Sequence, residues 1–114
     1  YINPGGGGKD YRFALYADNA GEPGNLIVET AVGNEGGTGW KTITVTPTSL
    51  TAGTYWLALS FSHNTQKYYY ESSGGVTRHE RHPAVSNGFI ATWPGSTTPY
   101  SHKISIYGTY TPSN

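Results

Sequence analysis

Apolar and polar residues alternate along several short stretches of the chain. The clearest case is residues 11–17, where Tyr11, Phe13, Leu15 and Ala17 occupy every second position. A period of two places alternate side chains on opposite faces of an extended backbone, so this stretch predicts a half-buried β-strand. Turn-forming residues precede and follow it, which predicts a strand with turns at both ends.

The same pattern predicts most of the remaining chain to be strands. Residues 54–61 are apolar on both faces, which is typical of a strand with neighbours on both sides, so Tyr55, Leu57, Leu59 and Phe61 are expected to be buried in a central strand. Further strands are predicted at residues 26–32, 40–46, 67–71, 88–93 and 102–111, while residues 78–87 have no clear pattern. Short strands separated by turns predict an all-β fold, an antiparallel two-sheet β-sandwich, in one domain spanning residues 1–114.

Composition supports this fold class and excludes several functions. The 114 residues include 16 Gly, 7 Pro and 10 Tyr, and charged residues make up 12% with a formal net charge of zero. Because no basic field is present, nucleic acid is not an expected partner. The chain has no Cys, which excludes a disulfide framework, and no apolar run long enough to span a bilayer. Low charge with abundant Gly, Ser, Thr and Tyr predicts an extracellular or cell-surface protein.

Several segments together resemble a known group of proteins. The sequence is similar to jelly-roll-like β-sandwich modules of bacterial and archaeal extracellular and cell-surface proteins. The similar segments are FALYADNAGEPGNL at residues 13–26, GWKT at 39–42, LTAGTYWLA at 50–58, FIATWP at 89–94 and SIYGTYT at 105–111. The resemblance covers most of the chain and implies a fold more than a function.

The resemblance also implies that a strand is missing. The first strands of such modules lie upstream of the position of Tyr1, so the domain is expected to lack or exchange an N-terminal strand. An open sheet edge would then expose unpaired backbone groups that a neighbouring copy could pair with, giving a homo-oligomer or a fibre. The candidate donor segments are residues 1–4 and 109–114, and the candidate assembly residues are Tyr1, Ile2, Tyr107, Thr109, Tyr110 and Thr111.

Side chains that could carry chemistry are few. Asp18, Asn19 and Glu22 could supply oxygen ligands to Ca²⁺, but the same residues at a strand exit are also what a tight turn requires. Residues 79–82 bring two histidines close in sequence, yet three positions apart in extended backbone they would face opposite ways. No carboxylate pair or catalytic triad has usable spacing. The sequence therefore predicts a protein that is not an enzyme and needs no cofactor or metal.

Aromatic residues supply the alternative function. Flat aromatic rings can stack on the faces of sugars, and Tyr68, Tyr70, Trp93 and Tyr100 are the candidates for such a surface. Two hypotheses follow, of which the first is a structural subunit or repeat of a surface fibre or adhesive appendage. The alternative is a carbohydrate-binding module of a secreted protein, with a polysaccharide as its partner.

Overall fold

A computed structural model describes residues 1–3, 9–34, 37–63, 65–78, 84–94 and 99–111. These residues form short antiparallel strands and one helix of four residues, so the chain is all-β. The elements are β1 (Ile2–Asn3), β2 (Tyr11–Asn19), β3 (Glu22–Glu29), β4 (Tyr55–Phe61), β5 (Lys67–Tyr68), β6 (Tyr70–Glu71), β7 (Thr77–Arg78), α1 (Ala84–Asn87), β8 (Pro99–Tyr100) and β9 (Lys103–Ile104). Within this part of the chain, no helix is long and apolar enough to cross a membrane.

The largest sheet has three strands in the order β3-β2-β4. β2 and β3 form a hairpin whose two turn residues, Ala20 and Gly21, have φ angles of 53° and 89°. Positive φ at both turn positions matches the right-handed twist of the flanking strands, and Gly21 adopts it without steric cost. Because the turn is this short, β2 continues to Asn19 and β3 begins at Glu22, earlier than the predicted strand at residues 26–32.

The prediction that residues 54–61 form a central strand is wrong. β2 lies in the middle of the sheet, and β4 pairs with β2 as its one strand neighbour among the described residues. Leu57 was expected to be buried but is 41% exposed, while Leu59 and Phe61 are half-buried. Apolar residues on both faces therefore do not give this strand a neighbour on each side within the described part of the chain.

Three other predicted strands are shorter or absent. Residues 40–46 form no strand, residues 88–93 form one isolated bridge between Thr92 and Asn25, and residues 102–111 contain only β9. The remaining ladders are two-stranded sheets of two residues each, which pair β1 with β5, β6 with β9 and β7 with β8. Strand formation requires a hydrogen-bonding partner as well as a suitable pattern, and these segments find little pairing within the described chain.

Two tyrosines on β2 occupy the core. Tyr11 and Tyr16 are the largest fully buried side chains among the described residues. Tyr16 packs edge-on against Trp93, with ring centroids 5.5 Å apart, and its hydroxyl donates a 2.6 Å hydrogen bond to the carbonyl oxygen of Ile90. Burial, and secondarily the Glu29 carboxylate, raise the pKa of Tyr16 to about 12, so the phenol remains a neutral donor. This packing holds the loop after α1 against one face of the main sheet.

Candidate functional site

The outer edge of β4 has backbone groups that point away from β2. The N–H of Ser62 donates to the carbonyl oxygen of Asp10 at 3.0 Å, and this pair continues the β2–β4 register by one residue. Hydrogen-bonded pairs alternate along an antiparallel ladder, so Ala58 bonds to β2 while the N–H and C=O groups of Leu57 and Leu59 point outward. No strand pairs with that outward side in the part of the chain that the structure describes.

A groove of about 280 Å³ runs along this edge. Residues 56–61 of β4 line it consecutively, so side chains from both faces of the strand and the backbone between them border the same space. Its other walls are mainly apolar and come from the main sheet, the loop after α1 and the short sheets: Tyr16, Pro23, Tyr68, Val76, Thr77, Arg78, Ala84, Phe89, Ile90, Trp93, Ile104 and Ile106. An apolar groove beside unpaired backbone groups has the features that strand addition uses, in which main-chain hydrogen bonds give affinity and side chains fill the groove.

The opposite edge of the same sheet is covered. The N–H of Leu26 donates to the carbonyl oxygen of Ala91 at 2.8 Å, and the N–H of Trp93 donates to that of Gly24 at 2.9 Å. Residues 91–93 therefore run along β3 and satisfy part of its outer edge. The contrast between a covered β3 edge and an open β4 edge makes β4 the side of the main sheet available to another strand.

The candidate donor segments at the two ends of the sequence differ. Ile2 is 3% exposed, pairs with Tyr68 in β5, and exchanges backbone hydrogen bonds of 3.0 and 2.9 Å with Gly39. Pro4 lies outside the described residues, as do residues 112–114. The exposed Tyr1 ring lies against Trp40 and Tyr69, with centroids 5.6 and 5.1 Å apart. The first segment is thus engaged within its own chain.

The second candidate segment is exposed. Residues 107–111 form no strand, and all five are exposed, with Tyr110 at 76%. The segment passes close to β4, because a β-carbon built on Gly108 would lie 3.6 Å from Cδ2 of Leu57. Thr109 and Thr111 follow Gly108 with no strand pairing recorded among the described residues.

Three of the four candidate sugar-binding residues lie in one row of rings. Tyr68 and Tyr70 have centroids 5.6 Å apart, Tyr70 stacks on His102 at 4.2 Å and 23°, and His102 is 5.8 Å from Tyr100. The fourth candidate, Trp93, lies instead against Tyr16 in the core. His102, two positions after Tyr100 in the sequence, joins the row and was not among the predicted residues. Because rings stacked in a row cover one another's faces, much of the row presents ring edges to the solvent.

The candidate Ca²⁺ ligands make contacts with other residues. One carboxylate oxygen of Asp18 accepts a 2.8 Å hydrogen bond from the Trp56 indole N–H, and the other accepts a 3.3 Å bond from the backbone N–H of Gly21. Glu22 forms a 3.2 Å ion pair with Arg78, and Asn19 is exposed at the end of β2. Among the described residues, no three His, Cys, Asp or Glu side chains converge on a point that could hold a metal. Residues 79–82 lie outside the described residues.

The Glu29 carboxylate joins the main sheet to the loop after α1. Glu29 accepts a 2.8 Å hydrogen bond from Arg12 and a 2.7 Å bond from the backbone N–H of Phe89. Arg12 also donates to the carbonyl oxygens of Thr30 and Ala84, at 2.7 and 3.4 Å. These contacts give both charges a role in packing, since a partly buried ion pair with further hydrogen bonds fixes the elements it joins.

Comparison of the chain with protein-family models, curated proteins and solved structures finds no match. The β4 edge with its apolar groove and the row of aromatic rings are the two surface features that support a function.

Proposed function

We propose that the chain is a non-enzymatic structural module of an extracellular or cell-surface assembly, one subunit or repeat of a fibre whose copies contact each other through sheet edges. The observation that carries this proposal is the outward-facing backbone of β4 beside an apolar groove of about 280 Å³. Long, uncharged sheet edges are rare on proteins that remain apart, because they template pairing with another chain. Tyr55–Phe61 contains no charged residue and no proline.

A jelly-roll-like sandwich that lacks or exchanges a strand is the fold that fits this proposal. In such a sandwich, a strand added along β4 would lie in the groove between the main sheet and the short ladders that contain Tyr68 and Ile104. The added strand would pair the outward N–H and C=O groups of Leu57 and Leu59. Pairing would exchange their bonds to water for bonds to the added strand, and burial of that strand's apolar side chains in the groove favours filling it.

The test replaces one outward amide. Leu57→Pro removes an N–H that points away from β2, and proline is tolerated at an edge position of this kind. Leu57→Ala is the matched control because it shortens the same side chain and keeps the N–H. We expect light scattering and electron microscopy to show oligomers or filaments for the native chain and for Leu57→Ala, and monomers for Leu57→Pro. A native chain that stays monomeric at all concentrations tested would contradict the proposal.

Carbohydrate binding is the second candidate function. It is favoured by the row that brings Tyr68, Tyr70 and Tyr100 together around His102. Tyr100, at one end of the row, is 44% exposed and would be the ring on which a sugar stacks. Titration calorimetry with soluble oligosaccharides tests this, with Tyr100→Ala expected to abolish heat of binding and Tyr110→Ala, outside the row, expected to retain it. Equal binding by both variants would argue against this surface.

A further inference from the structure

A second strand-like segment has no partner within the described chain. Residues 42–46 are Thr42, Ile43, Thr44, Val45 and Thr46, five β-branched residues in succession. β-Branched residues favour extended backbone and pack well in sheets. Nevertheless these residues form no bridge with any described residue, and four of the five are exposed, with Val45 at 44%.

This segment continues from a paired position. Gly39 exchanges two backbone hydrogen bonds with Ile2 of β1, so its N–H and C=O groups face β1. If the backbone is extended from Gly39 onward, counting by two places the N–H groups of Thr42 and Thr44 on the side away from β1. Ile43 is half-buried, and its Cδ1 would lie 3.0 Å from a β-carbon built on Gly33, so it is held against its own copy. Residues 42–46 are thus anchored to the rest of the protein at Gly39 and Ile43.

Residues 42–46 and β4 contain few of the features that protect exposed strands, although Lys41 and Pro47 flank the first segment and Gly108 lies close to Leu57 of β4. Lysine, proline, a bulge or a covering segment normally prevents edge pairing. Within residues 42–46 and Tyr55–Phe61 there is no charged residue and no proline, and no covering strand is present among the described residues. β3, in contrast, is covered by residues 91–93 and has register shifts in its pairing with β2. The two edges are separate segments of one chain.

We propose that residues 42–46 of one copy pair with the outer edge of β4 of the next copy. This inference rests on the proposed function and names the occupant of the β4 edge. The backbone groups of Thr42 and Thr44 would pair with those of Leu57 and Leu59, and exposed Val45 would cover apolar groove surface. Since two different edges meet, the contact is head-to-tail, and such a contact continues into a filament unless its rotation closes a ring.

The alternative donor, residues 107–111, fits the edge less well. It contains Gly108, which weakens a strand because it has no side chain to pack and a large conformational entropy to lose. Its large side chains are tyrosines, whose hydroxyl groups would require partners in an apolar groove. Residues 42–46 instead offer an unbroken β-branched run that already begins beside a hydrogen-bonded pair at Gly39.

The experiment blocks each edge separately and then mixes the blocked proteins. Leu57→Pro blocks β4 and leaves residues 42–46 free, while Thr44→Pro blocks residues 42–46 and leaves β4 free. Leu57→Ala and Thr44→Ala keep the amides and serve as controls. Because each proline removes hydrogen bonds from the contact, we expect each proline variant alone to associate roughly 100-fold more weakly than its alanine control. We expect an equimolar mixture to form 1:1 heterodimers in analytical ultracentrifugation. Circular dichroism verifies that each variant is folded, and Thr44→Lys replaces Thr44→Pro if the latter is unfolded.

The outcomes separate this inference from the proposed function. If Thr44→Pro assembles like Thr44→Ala while Leu57→Pro is monomeric, the donor is another segment such as residues 107–111, or two β4 edges pair with each other, and the inference is overturned while the function stands. Two monomeric variants that form no heterodimer also overturn it. If Leu57→Pro assembles like Leu57→Ala, both the inference and the β4 edge as assembly site fail.

Discussion

The backbone alternation along β4 predicts that proline has opposite effects at neighbouring positions. The alternation set by the Ser62–Asp10 bond directs the N–H of Ala58 to the carbonyl of its register partner Ala14, a residue only 5% exposed, and the N–H of Leu57 outward. Proline at position 58 removes this bond and leaves a buried carbonyl without its donor, which costs about 1 to 3 kcal/mol. Proline at position 57 removes an amide with no role in the sheet.

The change from alanine to proline isolates the amide at each position. The free energy of unfolding of Leu57→Pro should match that of Leu57→Ala within about 0.5 kcal/mol. Ala58→Pro should be less stable than the native chain by about 1 to 3 kcal/mol or more, the cost of the buried carbonyl that loses its donor. Both Leu57 variants should lose about 1 to 2 kcal/mol relative to the native chain, since a fully buried leucine contributes about 1.5 to 3 kcal/mol and Leu57 is 41% exposed. Urea denaturation of dilute protein, followed by tryptophan fluorescence, measures all three. An equal alanine-to-proline cost at both positions would show that the amide of Leu57 is bonded within the monomer and that the edge is not open.

Three further predictions concern the core and the candidate ligands. Because the folded state holds the pKa of Tyr16 at about 12 against an ordinary value of 10.0, stability is intact below pH 10 and should fall between pH 10 and 12; Tyr16→Phe should reduce that fall in pH-dependent urea denaturation. Arg12→Gln, which removes the ion pair with Glu29, should lower the free energy of unfolding by about 1 to 3 kcal/mol in the same assay. Adding a chelator should not shift the thermal midpoint, since Asp18 is held by protein donors; a clear decrease would indicate a bound metal.

Sequence reasoning found the elements whose pattern is local. The alternation in residues 11–17 predicted β2, which the structure extends to Asn19, and the turn residues after it predicted a reversal that occurs at Ala20 and Gly21. Both depend on the spacing of side chains and on residue types that tolerate positive φ, and these can be read from the sequence itself. The order of strands in the sheet depends on contacts between distant residues, and no periodicity contains that information.

The candidate site residues show the same difference between what a local pattern predicts and what contacts between distant residues decide. The sequence grouped Tyr68, Tyr70, Trp93 and Tyr100 as candidates. The structure places the three tyrosines in a row with His102 and places Trp93 against Tyr16 instead. His102 has spacing that would place it on the same strand face as Tyr100, and this was the available signal for including it.

Two of the discrepancies between pattern and structure fall on the two partners of the proposed contact. Among the described residues, Tyr55–Phe61 has the composition of an internal strand but only one strand neighbour, and residues 42–46 have the composition of a strand but no strand partner. Composition reflects the environment in which a segment works, because β-propensity is largely a measure of packing against neighbouring strands. If residues 42–46 of a second copy lie beside β4, Tyr55–Phe61 becomes internal and residues 42–46 become a paired strand. One contact then accounts for both departures, whereas in a permanently isolated chain each would require a separate explanation.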